Sequence, residues 1–165
     1  MTNLFLLAIG IFTLAFIWLI WLRQNLIHAL SKIEQIENVL RADFEKRNSK
    51  TPYFLESCRH KFSADRRWLL ILRYRAELNQ PNSSGPSWTF AKELDFEKAL
   101  LHFAKDTKLP NIQFLEAKKE IMEMTHIIER KKNELNLAAT AYNDRKKTFP
   151  YSLASAIFGL RTISF

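Results

Sequence analysis

The feature that most constrains this chain is an uncharged apolar run near its N-terminus. The segment Leu4–Leu22 contains no Asp, Glu, Lys or Arg, and Thr13 is its polar interruption. About 19 helical residues, at ~1.5 Å each, match the ~30 Å hydrocarbon core of a bilayer. The sequence therefore predicts a transmembrane anchor over residues 1–22.

A cleaved signal peptide is the competing interpretation of this run. It would need basic residues in front, a shorter apolar stretch and small residues at the end. Only Met-Thr-Asn precedes the run, and Trp21, Leu22 and Arg23 close it. We therefore expect the anchor to remain uncleaved.

The charges on either side of the run predict its orientation. No basic side chain precedes it, whereas Arg23, Lys32 and Arg41 follow it. Because basic residues next to a span stay on the cytoplasmic side, we expect the N-terminus outside and the soluble region inside. Trp18 and Trp21 would then lie at the cytoplasmic interface, where amphipathic rings are favoured.

Residues 23–148 have the periodicity of helices. Apolar residues recur at helical spacing, and three glycines and five prolines are few for a turn-rich β protein. The predicted fold is all-α: the N-terminal transmembrane helix, then an antiparallel three- to four-helix bundle with long helices. The segment Pro81–Ser87, within a loop near 80–88, is the low-complexity connection.

The predicted helix boundaries follow the prolines. Lys50-Thr51-Pro52 favours a break after the first helix, because Thr is a good N-cap and Pro suits the first helical position. The second helix is then expected over residues 52–79. A third helix is expected over Thr89–Lys108, burying Phe90, Leu94, Leu101 and Phe103 or Ala104.

The fourth helix has the clearest pattern. Apolar residues spaced by seven, with Ala117 and Met124 in the alternate phase, give a coiled-coil-like stripe. Lys131 and Arg145 interrupt that second phase, so packing within the chain is favoured over a free dimeric coiled coil. The residues spaced by seven are Phe114, Ile121, Ile128, Leu135, Tyr142 and Phe149.

The C-terminal segment 149–165 is apolar. Phe149-Pro150 is expected to stop the fourth helix, and a short helix is expected to end at Gly159. Two interpretations of this segment remain open: it caps the bundle, or it touches the bilayer or a partner protein.

A basic stretch accounts for part of the net charge of +8. Its cations are interleaved with Phe62, Trp68 and Tyr74, which is typical of nucleic-acid-binding surfaces and of helices near an anionic leaflet. A solvated face with no ligand is the third interpretation. The candidate contact residues are Arg59, Lys61, Arg66, Arg67, Arg73 and Arg75.

No motif predicts catalysis, a metal site or a cofactor. Glu123 and His126 have the Glu-x-x-His spacing of di-iron bundles, but a second such pair is missing from the sequence. Cys58 and His60 are two apart, so their side chains diverge on a helix. We expect a protein that is not an enzyme.

The C-terminal third contains Tyr142-Asn143, then Phe149-Pro150 after five residues, and then Phe158-Gly159. This order and spacing resembles the Tyr-Asn, Phe-Pro and Phe-Gly motifs of the LemA family. Thr125-His126-Ile127 departs from the family's usual Glu-Asn before an Ile. The matching residues are Arg47, Pro52, Asn136, Tyr142, Asn143, Phe149, Pro150, Phe158 and Gly159.

This resemblance implies a divergent member with an N-out anchor and an antiparallel helical bundle on the cytoplasmic side of the bacterial inner membrane. It implies no catalytic mechanism. The expected role is a non-enzymatic scaffold or adaptor with a protein partner. The alternative is a membrane-tethered protein whose basic second helix binds nucleic acid or anionic lipid.

Overall fold

The computed structural model describes residues 2–79, 90–109 and 111–163. These residues form five helices and no strand, so the predicted all-α fold is confirmed. The predicted loop near 80–88 lies outside the described residues. The helices are α1 (Thr2–Phe62), α2 (Arg66–Asn79), α3 (Phe90–Asp106), α4 (Ile112–Lys147) and α5 (Tyr151–Ile157).

The N-terminal part of α1 is long and apolar enough to cross a membrane, judged by its length and composition. Its side chains are turned outward: only 6% of the most apolar window is buried. Phe12 and Leu14, for example, are largely exposed. A core helix of a soluble protein would bury such side chains, because their exposure to water is unfavourable.

The predicted helix break at Thr51-Pro52 is wrong. α1 continues through Pro52 and ends ten residues later at Phe62. Thr51 does not cap a new helix; its hydroxyl donates to the carbonyl oxygen of Arg47, one turn back, at 3.0 Å. An internal proline costs a helix about 3 kcal/mol, and the buried residues on both sides of Pro52 offset that loss. They are Leu40, Phe44, Arg47, Thr51, Phe54, Leu55 and Cys58.

Contacts divide the chain into two compact units. Unit 2 is the continuous segment Val39–Lys132, and α2 packs against α3 within it. Its core is aromatic: the Phe54 ring lies 6.1 Å from that of Phe103 and 5.6 Å from that of Phe114. Edge-to-face and tilted pairs of this kind add stabilisation beyond the area they bury.

Unit 1 is built from two separate segments, Met1–Asn38 and Asn133–Phe165. After the apolar run, α1 buries Leu22, Leu26, Ile33 and Ile36, and the final turns of α4 bury a stripe of their own. α5 contributes Ala154 to the buried set. The buried residues of α4 in this unit are Leu135, Ala139 and Tyr142.

The predicted stripe of α4 is confirmed at five of its positions and wrong at the last. Phe114, Ile121, Ile128, Leu135 and Tyr142 are buried, whereas Phe149 is 79% exposed. The helix ends at Lys147, so Phe149 no longer continues the helical phase.

In α3 the predicted burial is right for Phe103 and Ala104. Phe90, Leu94 and Leu101 are only partly buried. The buried face of α3 is rotated relative to the predicted one, and it includes two carboxylates, Glu93 and Glu97.

The predicted short helix ending at Gly159 is confirmed. α5 ends at Ile157, and Gly159 has a φ of 62°, a conformation that favours glycine. The Phe158 N–H donates to the Ala154 carbonyl at 3.0 Å, and the Leu160 N–H donates to the Ser155 carbonyl at 3.1 Å. This paired arrangement satisfies the last carbonyls of the helix.

Candidate functional site

A buried group of charged side chains lies within unit 2. We call it the charged cluster; it consists of Arg47 and Asn48 from α1, Glu93 and Glu97 from α3, and Lys132 from α4. Arg47 is 0% exposed, which is rare for an arginine and requires paired charges. Its guanidinium lies 5.1 Å from the centre of the Phe44 ring and 5.2 Å from that of Phe96.

The carboxylates of the charged cluster use all four of their oxygens. Arg47 donates to Glu93 Oε2 at 2.7 Å and to Glu97 Oε2 at 3.0 Å. Asn48 donates to Glu93 Oε1 at 2.9 Å, and Lys132 donates to Glu97 Oε1 at 3.3 Å. Two cations balance two anions, and every carboxylate oxygen has a donor. The charged cluster therefore joins α1, α3 and α4.

Burial is the main influence on the pKa values of Glu93 and Arg47. It raises the pKa of the Glu93 carboxyl, while the charge of Arg47 and the hydrogen bond from Asn48 oppose the rise. Burial also lowers the pKa of the Arg47 guanidinium, and Glu93 and Glu97 oppose that change. The opposite charges of Arg47 and Glu93 thus partly offset the cost of burying each other.

Glu93 and Glu97 were missed by the sequence reasoning, although a signal for them exists. They fall at i and i+4 on the stripe that continues through Leu100 and Ala104. Carboxylates on an apolar stripe require buried cationic partners.

The predicted basic surface is distributed over the end of α1 and over α2. Three of its arginines have carboxylate partners: Arg59 pairs with Glu56, Arg67 with Asp65 and Asp106, and Arg73 with Glu77. The hydrogen bonds from Arg67 lower the pKa of the Asp65 carboxyl. These pairs reduce the positive potential that an anionic partner would meet.

The remaining members of the basic surface are Lys61, Arg66 and Arg75. Lys61 and Arg66 are exposed, and neither is within 4 Å of a carboxylate in the part of the chain that the structure describes. Arg75 is half-buried and joins Arg59 in lining a cavity of about 220 Å³, beside Trp68. The structure thus brings only part of the predicted set together.

Several of the residues that carry the family resemblance make specific contacts. In unit 1, the Tyr142 hydroxyl donates to the Arg161 carbonyl at 3.2 Å. The Asn143 side chain donates to the Ile163 carbonyl at 2.7 Å and accepts from the Ile163 N–H at 3.1 Å. Lys146 donates to the Thr162 hydroxyl at 3.0 Å. We call this set the C-terminal clamp, because it fixes residues 161–163 to α4.

The other resemblance positions are less uniform. Arg47 belongs to the charged cluster, and Gly159 ends α5. Phe158 lies under the Arg23 guanidinium, 5.3 Å from the ring centre. Asn136 is exposed on α4, and Pro150 is half-buried at the N-cap of α5.

The Glu-x-x-His pair does not form a convergent site. Glu123 faces Lys119 at 3.9 Å, and His126 faces Glu129 at 3.7 Å, with all these side chains exposed. Among the described residues, no three His, Cys, Asp or Glu side chains lie together in a way that would hold a metal ion.

Cys58 is buried in the core of unit 2, with 1% of its surface exposed. Its thiol donates to the carbonyls of Phe54 and Leu55, at 3.3 and 3.2 Å. Burial raises the pKa of the Cys58 thiol to about 11. A thiol that is protonated and buried is a poor nucleophile.

We predict that Cys58 reacts slowly with a maleimide in the native protein. The rate at pH 7.5 is expected to rise at least ~100-fold in denaturant, because unfolding restores access and the ordinary thiolate fraction. Labelling followed by mass spectrometry measures both rates. Equal rates would mean that the thiol is accessible in the folded chain.

Comparisons with protein-family models, with curated proteins and with solved structures found no significant match to this chain.

Proposed function

We propose that this chain is a membrane-anchored, non-enzymatic helical protein that acts as a scaffold or adaptor at the cytoplasmic face of a bacterial inner membrane. The observation that carries the proposal is the exposed apolar segment of α1, which continues directly into a charged helical region. A hydrocarbon environment would accommodate the exposed side chains, and water would not.

A relation to the LemA family is part of the same proposal. It is supported by the roles of the matching residues, since Arg47, Tyr142 and Asn143 hold helices or chain segments in place and Gly159 follows α5 with a positive φ. The carboxylate oxygens of the charged cluster are satisfied internally, so a protein partner would bind an exposed helical surface instead.

The proposed orientation can be tested with cysteines at chosen positions. Because Cys58 is buried, we would replace it by Ala and introduce Lys119→Cys on an exposed face of α4, with Asn3→Cys as the matched reporter ahead of the apolar run. A membrane-impermeant maleimide is expected to label Asn3→Cys in spheroplasts. It should label Lys119→Cys only after permeabilisation. The reverse pattern would overturn the orientation.

A second candidate function is binding of nucleic acid or anionic lipid by the basic surface. Exposed Lys61 and Arg66, with no carboxylate partner in the described residues, favour it. Full-length protein in neutral detergent would be passed over immobilised double-stranded DNA. Retention that falls steeply with salt and is lost in Lys61→Gln/Arg66→Gln would support this function, and no retention at low salt would exclude DNA.

A further inference from the structure

Unit 1 contains a groove between two helices. It has a volume of about 420 Å³ and is formed by residues 25–32 of α1, about two helical turns, and by a facing stretch of α4. Three alanines also line the groove, and because their side chains are small they leave space between its polar residues. Those polar residues are Asn25, His28, Lys32, Tyr142 and Arg145.

The groove is cationic. Lys32 and Arg145 are exposed, and neither is within 4 Å of a carboxylate among the described residues. No Asp or Glu lines the groove. The Arg145 guanidinium lies 6.0 Å from the centre of the Tyr151 ring, a contact that restricts its position. This differs from the basic surface of unit 2, where three arginines have carboxylate partners.

The groove begins just after the end of the apolar run. Arg23 is the first charged residue after that run, and Asn25 and His28 follow it by about 3 and 8 Å along the helix axis. The polar layer on each side of the hydrocarbon core is about 5–8 Å thick. Lys32 lies one turn further, but helical side chains lean toward the N-terminus and a long lysine reaches back toward the interface.

A second contact brings the C-terminal segment close to Arg23, the first charged residue after the apolar run. Phe158, which follows α5, packs under the guanidinium of Arg23. The exposed side chains Leu153 and Ile157 are four residues apart and share one face of α5. This arrangement favours the bilayer-contacting interpretation of the C-terminal segment.

We propose that this groove binds the phosphate of an anionic phospholipid in the leaflet where α1 leaves the membrane. Lys32 and Arg145 would supply the charge-assisted hydrogen bonds, and Asn25 and His28 would supply further polar contacts. The proposal rests on the membrane anchoring proposed above. It adds a defined lipid site that is separate from the basic surface of α2.

Native mass spectrometry of the full-length protein tests this site. Protein in neutral detergent would be incubated with equal amounts of phosphatidylglycerol and phosphatidylcholine, and the two lipid-bound masses compared. We expect phosphatidylglycerol to exceed phosphatidylcholine about tenfold in the wild type and to lose that preference in Lys32→Gln/Arg145→Gln. The control Lys98→Gln/Lys119→Gln removes the same charge from exposed sites in unit 2 and should keep the preference.

A second variant keeps the test informative if Lys32→Gln/Arg145→Gln does not fold. Ala141→Phe narrows the groove without changing charge and should also reduce the preference. Equal loss in the lysine control, or no preference in the wild type, would overturn the proposal. Displacement of bound phosphatidylglycerol by millimolar inorganic phosphate would also overturn it, by assigning the groove to a soluble phosphate. Carbonate extraction of the same variants reports anchoring separately, so failure of the lipid site is distinguishable from failure of the anchor.

Discussion

Replacing Arg47 by methionine is expected to destabilise the protein by about 3–5 kcal/mol. The substitution leaves Glu93 with only its bond from Asn48, and it leaves the four-charge cluster with one cation against two anions. Both carboxylates are buried, at 2% and 4% exposure, so water cannot replace the missing guanidinium. The free energy of unfolding would be measured by far-UV circular dichroism during urea titration of the full-length protein in detergent.

Two comparisons make the result specific to the charged cluster. Arg59→Ala removes an exposed arginine with a 3.5 Å partner and should change stability by less than about 1 kcal/mol. Arg47→Met/Glu93→Met leaves Lys132 and Glu97 as a balanced pair and should recover much of the lost stability. A loss in Arg47→Met no larger than that of Arg59→Ala would contradict the structural role of the cluster.

The destabilisation of Arg47→Met should also depend on pH. In the wild type the charge of Arg47 opposes the rise of the Glu93 pKa that burial causes. Arg47→Met removes that charge, so the folded-state pKa of Glu93 lies further above the unfolded value of about 4.3. The folded state then retains a proton that the unfolded state releases, so stability falls as pH rises between these two pKa values. The loss is therefore expected to be smaller at pH 5 than at pH 8.

Two arginines in the apolar run should prevent stable membrane integration. Ile11→Arg/Leu14→Arg places two charges near the middle of the run, at a cost of about 3 kcal/mol each at the centre of a bilayer. Both native side chains are exposed in the structure, so in a soluble protein these substitutions would have almost no effect. The measurement is the fraction of protein that stays with membranes after carbonate extraction.

A matched control is available on the surface of α4. Ile112 and Leu137 are as exposed as the residues of the run, at 72% each. Ile112→Arg/Leu137→Arg should stay fully in the membrane fraction. If Ile11→Arg/Leu14→Arg also stayed in the membrane fraction, α1 would not be held by the hydrocarbon core. The proposal that α1 anchors the protein in a membrane would then be wrong.

Much of the fold was predictable because helical phase is a strong signal. The seven-residue spacing from Phe114 to Tyr142 predicted the buried face of α4, and Gly159 predicted the end of α5. Pro52 shows the limit of local signals: Thr-Pro favours a helix start, yet the buried phase from Phe44 to Phe54 continues unbroken through it. Packing on both sides of a proline outweighs the loss of one backbone hydrogen bond.

The candidate sites were harder to predict, because they depend on which helices meet. The basic stretch was recognisable, but the carboxylates that neutralise Arg67 and Arg73 were not assigned to it. Asp106 comes from α3, which no local pattern places beside α2. In the same way, Glu93 and Glu97 become a charged cluster only when Arg47 and Lys132 approach from two other helices.

The order of synthesis has a consequence for unit 1. Its two segments are separated in the chain by the whole of unit 2, and the C-terminal clamp uses residues 161–163. During translation, every residue of unit 2 is therefore made before the second half of unit 1 exists. The first segment of unit 1 waits with Leu22, Leu26 and Ile33 uncovered until α4 is complete. Unit 1 is completed only when residues 161–163 have been made, and ribosome stalling in the part of α4 after Lys132 would leave unit 2 complete and unit 1 open.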